Sequence, residues 1–140
     1  MNLFVDTNVL LAATDPQRQH HRVARNFLES GQAHLFASPQ VMREYLAVAT
    51  RPPAANGLGL TMDQALENVA EFSKTLALVF ESEATWRKLR EILLNPHPPV
   101  GKRVHDANIA ATTLAGELGI IATFNTADFA GLPVETLAPS

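Results

Sequence analysis

The chain has 140 residues, room for one compact domain spanning 1–140 and little else. It contains no cysteine, which removes disulfides, thiolate metal sites and cysteine nucleophiles from consideration. Its net charge of −3 gives no global sign of a nucleic-acid partner. The local basic groups (Arg18, Arg22 and Arg25; Arg87, Lys88 and Arg90; Lys102 and Arg103) read as solvated helix faces or loops.

Asn2–Val5 is a short apolar run ending at an acid, as in a buried strand. Asp6 interrupts that run, no basic segment precedes it, and no stretch approaches ~18 apolar residues. A cytoplasmic protein without a membrane segment is expected. Thr7–Ala13 reads as a short helix. Asp15-Pro16 offers an N-cap and a first-turn proline, predicting a helix to about Ser30, stopped at Gly31. Ala33–Ala37 is the next strand, and Ser38-Pro39 opens a helix to about Thr50.

Pro52, Pro53, Gly57 and Gly59 mark a loop. Thr61 and Gln64 have the spacing of a capping box, starting a helix to about Lys74. Leu76–Phe80 reads as a strand and Ser82 as the cap of a helix ending near Asn95. An alanine-rich helix is expected over Val104–Leu118, closing at Gly119. Ile120–Thr123 is a further strand, and Pro133–Leu137 a short one at an edge. Strands alternate with helices throughout, which predicts an α/β fold: a mainly parallel central sheet of four to five strands flanked by helices.

Open parallel sheets bind ligands at the carboxyl ends of their strands. Asp6 follows the first strand directly, and Asp128 lies shortly after the fourth. Asp106 falls in the first turn of the alanine-rich helix, where the helix dipole favours its ionised form. Glu44 borders an apolar stripe of Val41, Tyr45, Val48 and Ala49. Taken singly, each acid has an ordinary alternative. Asp6 suits a helix cap, Asp106 a favourable first-turn charge and Asp128 a turn. Glu44 suits a solvated edge residue paired with Arg43 or Arg51. Together, all four are able to reach one edge of one sheet.

Carboxylates without histidine or cysteine are the donors that hard cations such as Mg²⁺ and Mn²⁺ prefer. His20 and His21 are adjacent, and so lack the four-residue spacing of a helical zinc pair. No Gly-x-Ser-x-Gly elbow is present.

Four segments carry a family resemblance: Phe-Val-Asp6-Thr-Asn-Val-Leu, Ser-Pro-Gln-Val-Met-Arg-Glu44-Tyr-Leu, Val-His-Asp106-Ala-Asn-Ile-Ala-Ala and Thr123-Phe-Asn-Thr-Ala-Asp128-Phe. In order and spacing they resemble the PIN-domain nucleases, and more narrowly the VapC toxins of toxin–antitoxin pairs. The resemblance implies a catalytic set of Asp6, Glu44, Asp106 and Asp128. Asp6 and Asp106 would be the metal ligands, with Thr7, Asn8, Thr123 and Asn125 as supporting polar residues. It further implies a Mg²⁺ cofactor that Mn²⁺ can replace, and cleavage of structured RNA (loops of tRNA or rRNA) by metal-activated water. A cognate antitoxin and a homodimer are the implied protein partners.

Two other readings are distinguishable. A haloacid-dehalogenase-type phosphatase also begins with a strand ending in Asp, but needs a second Asp where Asn8 stands. A non-catalytic RNA-binding PIN module is favoured by loss of an acid, and all four are present.

Overall fold

The computed structural model describes residues 1–140. Strands β1 (Asn2–Val5), β2 (His34–Ala37), β3 (Leu76–Leu78), β4 (Ile120–Ala122) and β5 (Glu135–Leu137) form one sheet. Between them run helices α1 (Thr7–Thr14), α2 (His21–Glu29), α3 (Pro39–Ala49), α4 (Met62–Phe72), α5 (Glu83–Leu93) and α6 (Arg103–Ala115). The sheet order is β3-β2-β1-β4-β5, and every pairing is parallel. The expected mainly parallel sheet is thus wholly parallel, with β5 added at its edge. No helix is long and apolar enough to cross a membrane.

This order places the site. From β1 the chain steps outward to β2 and then β3, and from β3 it crosses back to β4 on the other side of β1. Right-handed crossovers put α1–α4 on one face and α5–α6 on the other. The helix packing agrees: α1 lies against α2 and α3, α3 against α4, and α5 against α6. The winding direction therefore reverses between β1 and β4, whose carboxyl ends border the crevice where such sheets take ligands.

The core is built from the inward positions of these elements. Phe4 and Val5 of β1, Val9 and Leu10 of α1, and Ile121 of β4 are fully buried. Burial of each large apolar side chain contributes about 1.5–3 kcal/mol. On α3, Val41, Tyr45 and Ala49 form the buried stripe. The Tyr45 hydroxyl lies 2.8 Å from Thr14 Oγ1 and accepts from Asn68 Nδ2 at 3.1 Å, tying α3 to α1 and α4. Ala107, Ala110 and Ala111 are fully buried, so small side chains let α6 lie close to the sheet. The capping box at α4 forms as its spacing predicts, with Thr61 and Gln64 bonded reciprocally.

Two helix boundaries differ from the sequence expectation. Asp15 does not cap α2. Its N–H still bonds Leu11 O, closing α1, and its carboxylate accepts from Gln17 N at 2.9 Å to make a local turn. The α2 helix begins only at His21, whose Nδ1 donates to Ala12 O at 2.8 Å. At the other end of the chain, α6 stops at Ala115 and not at Leu118. Leu118 N bonds Thr113 O and Glu117 N bonds Leu114 O, the double bond pattern of a Schellman stop. The left-handed position of that motif is held by Glu117 (φ 59°), not by a glycine. Gly116, one residue earlier, serves close packing: a Cβ there would lie 2.9 Å from Val79 Cγ1.

Candidate active site

Asp6 leaves β1 and caps α1 in extended backbone conformation, its Oδ1 accepting from Thr7 N at 2.8 Å. Its other oxygen accepts from Asn8 Nδ2 at 3.0 Å and from Thr123 Oγ1 at 2.9 Å. Thr123 Oγ1 in turn accepts from Asn8 Nδ2 at 2.9 Å and from Asn125 N at 3.0 Å. Asn8 Oδ1 accepts from Phe124 N at 2.9 Å. Asn8 therefore stitches the end of β1 to the end of β4, segments more than a hundred residues apart in sequence. Asn125 contributes its backbone N–H, and its side chain is exposed.

Glu44 is half-buried on α3, one position round from Tyr45. Its Oε2 accepts from Thr7 Oγ1 and its Oε1 from Gln40 Nε2, both at 2.9 Å. Neither Arg43 nor Arg51 pairs with it. The chain's ion pairs are Arg18–Asp15, Arg25–Glu29, Lys74–Glu71, Arg87–Glu83 and Lys88–Glu91, and none involves Asp6, Glu44, Asp106 or Asp128.

Asp6 is only 7% exposed. Burial raises its pKa from 3.8 to about 6 despite the opposing hydrogen bonds from Thr123 and Thr7, and the charges of Glu44 and Asp106 add to the rise. Asp106, half-buried in the first turn of α6, is also raised, first by burial and then by repulsion from Asp128 and Glu44. Arg103 and His105 offset part of that rise. Asp128 sits exposed on a 3₁₀ turn, Thr126–Phe129.

The fold thus brings the four acids within electrostatic reach of one another through Asp6–Glu44, Glu44–Asp106 and Asp106–Asp128. It does not close them into a cage: no three acidic or histidine side chains converge to the spacing of a metal site. The donor chemistry nevertheless suits a hard cation. The donors are all oxygen, the deepest carboxylate is disfavoured as an anion by its burial, and no lysine or arginine pairs with any of the four.

Sequence reasoning missed Gln40 and Asn108. Gln40, one turn before Glu44 on α3, is 5% exposed. Its amide also donates to His105 O at 3.1 Å and accepts from Asn108 Nδ2 at 2.7 Å, while Asn108 donates on to Glu81 at 2.8 Å. The four-residue spacing of Gln40 and Glu44 was the one signal in the sequence.

The sequence model of the PIN domain matches residues 3–133. This chain belongs to the PIN domain family. No curated protein sequence matches it. Among solved structures, it is similar to VapBC2 of Rickettsia felis bound to promoter DNA, with a TM-score of 0.72, 16% identity and 98% of each chain covered. It is similar to VapC20 of Mycobacterium tuberculosis, a sarcin–ricin loop cleaving toxin, with a TM-score of 0.72 and 17% identity over 95% of this chain and 97% of that one. FitAcB of Neisseria gonorrhoeae matches with a TM-score of 0.64 and 21% identity over 99% of this chain and 98% of that one. At these identities the likeness is one of fold.

Proposed function

We infer that this PIN-domain chain is a Mg²⁺-dependent endoribonuclease, the toxin of a toxin–antitoxin pair, acting on structured RNA such as tRNA or rRNA loops. The observation that carries this reading is the buried Asp6 at the sheet's switch point, unpaired with any cation, with Glu44 and Asp106 near enough to act on its charge and Asp128 near enough to act on that of Asp106. A cluster of carboxylates without cations is costly in a protein unless something neutralises it.

Asp6 and Asp106 would hold Mg²⁺, or Mn²⁺ in its place, with Glu44 and Asp128 completing the acidic rim. The ion supplies charge stabilisation at a phosphate and a more acidic bound water. The chain's own part is positioning. Thr7, Asn8 and Thr123 fix both oxygens of Asp6, and Thr7 links Asp6 to Glu44. The reading also accounts for a polyanionic substrate at a protein of net charge −3, because the acids are then partly neutralised. A cognate antitoxin is the expected protein partner, supported by the VapBC and FitAcB neighbours, and a homodimer the expected assembly.

The test is cleavage of a panel of tRNAs and rRNA fragments by the purified chain. Cutting should require Mg²⁺, stop in EDTA and be lost in Asp106→Asn with the fold retained. Undiminished cleavage in EDTA, or by Asp106→Asn, overturns the reading.

A further inference from the structure

Gln40 holds one of the buried polar side chains of the molecule, and all its hydrogen-bonding groups are engaged. Both N–H groups of the amide are spent, one on Glu44 Oε1 at 2.9 Å and one on His105 O at 3.1 Å. Its oxygen takes a bond from Asn108 Nδ2 at 2.7 Å. The second N–H of Asn108 goes to Glu81 Oε1 at 2.8 Å. These bonds fix the direction of both amides. Turning Gln40 over would face its oxygen to Glu44 and to the His105 carbonyl, and its nitrogen to a donor. The network lines a surface cavity of about 500 Å³.

The three hydrogen-bond partners of Gln40 lie on two elements. Glu44 is on α3, with Gln40 itself, while His105 and Asn108 flank Asp106 on the first turns of α6. The two helices belong to opposite faces of the sheet. The relative placement of Glu44 and Asp106 therefore depends on what crosses between them at this rim. We propose that Gln40, braced by Asn108, is a positioning residue that sets Glu44 against Asp106 and thereby tunes how tightly the acidic site binds a divalent cation. It rests on the metal-dependent reading above. The logic is that of groups that orient a ligand from behind: one oxygen of Glu44 is held by Thr7 and the other by Gln40, so the carboxylate is presented in a single orientation.

The test uses Mn²⁺ as the probe ion and needs no RNA. Free Mn²⁺ is counted by electron paramagnetic resonance during titration of the whole chain. Gln40→Met keeps the length and packing of the side chain but removes its bonds. It should weaken Mn²⁺ binding about 10-fold. In a cleavage assay it should raise the metal concentration for half-maximal rate more than it lowers the rate at saturating metal. Asn108→Ala leaves the Gln40–Glu44 bond and releases the amide's other end, so a smaller loss than that of Gln40→Met is expected. It also serves if Gln40→Met does not fold. A lowered melting temperature with wild-type Mn²⁺ affinity in the folded variants makes Gln40 merely structural and overturns the proposal, leaving the nuclease reading standing. If the wild type binds no Mn²⁺, or Asp106→Asn binds it equally well, the metal reading fails and this proposal falls with it.

Discussion

Replacing Asp6 by Asn probes the acidic site without substrate, through stability against pH in EDTA. Asp6 has a pKa of about 6 in the folded chain against 3.8 for the unperturbed group. Below about pH 3.8 it is protonated in both states and contributes nothing to the pH dependence. Between there and pH 6 the folded chain keeps a proton that the unfolded chain loses, so stability falls as pH rises. Above about pH 6 the penalty is complete. At about 1.4 kcal/mol per pH decade, it amounts to about 3 kcal/mol. Asp6 is buried, so solvent screening removes little of this.

Asn at this position has no charge to bury, but whichever way its amide turns the NH₂ meets a donor, Thr7 N on one side or Asn8 Nδ2 on the other, and this costs about 1–3 kcal/mol at every pH. The absolute difference at neutral pH is therefore small. Its trend is not: the variant should gain on the wild type by about 2 kcal/mol between pH 4 and pH 7.5, or roughly 7 °C in melting temperature for a domain of this size. The assay is paired thermal or urea unfolding across that range. Adding Mg²⁺ at pH 7.5 should then stabilise the wild type and move the variant much less. A constant gap between wild type and variant from pH 4 to 7.5 would show that Asp6 ionises normally and refute the reasoning.

Glu44→Gln should reduce RNA cleavage by orders of magnitude, while Glu67→Gln, exposed on α4, should leave it unchanged. Equal small effects in rate measurements would return Glu44 to an ordinary helix-edge role. At the end of α6, Glu117→Gly should stabilise the chain by about 1 kcal/mol, because glycine adopts its left-handed conformation without the side-chain penalty. Gly116→Ala should destabilise it by about 1–3 kcal/mol, since the added methyl meets Val79. Urea denaturation checks both, and the same sign for the pair would refute this account of the α6 stop.

Much of the fold is legible in the sequence because its determinants are local. The apolar run before Asp6, the Thr61–Gln64 capping box and the Ser38-Pro39 helix start each act within about four residues, and each appears where it was expected. Local rules misplace boundaries where distant atoms compete. Asp15-Pro16 has the letters of a helix start, yet Leu11 holds the Asp15 N–H in the preceding helix. Gly119 looks like the α6 stop, yet the close approach of Val79 uses Gly116 and leaves Glu117 in the left-handed turn.

The acids divide in the same way. Asp6 is placed by its own strand and helix cap, and Asp106 by the first turn of its helix, so their positions could be read from sequence. The partner of Glu44 on another element, Thr7, could not. Whether Glu44 paired with Arg43, Arg51 or groups on other elements depended on how α3 packs on α1 and meets the first turns of α6 at the rim. That depends on the sheet order, which puts β1 beside β4 across more than a hundred residues of chain. The Asn8–Thr123 link and the Gln40–Asn108 bridge follow from that adjacency, because side-chain hydrogen bonds reach only about 3 Å and form only after packing has brought their helices together.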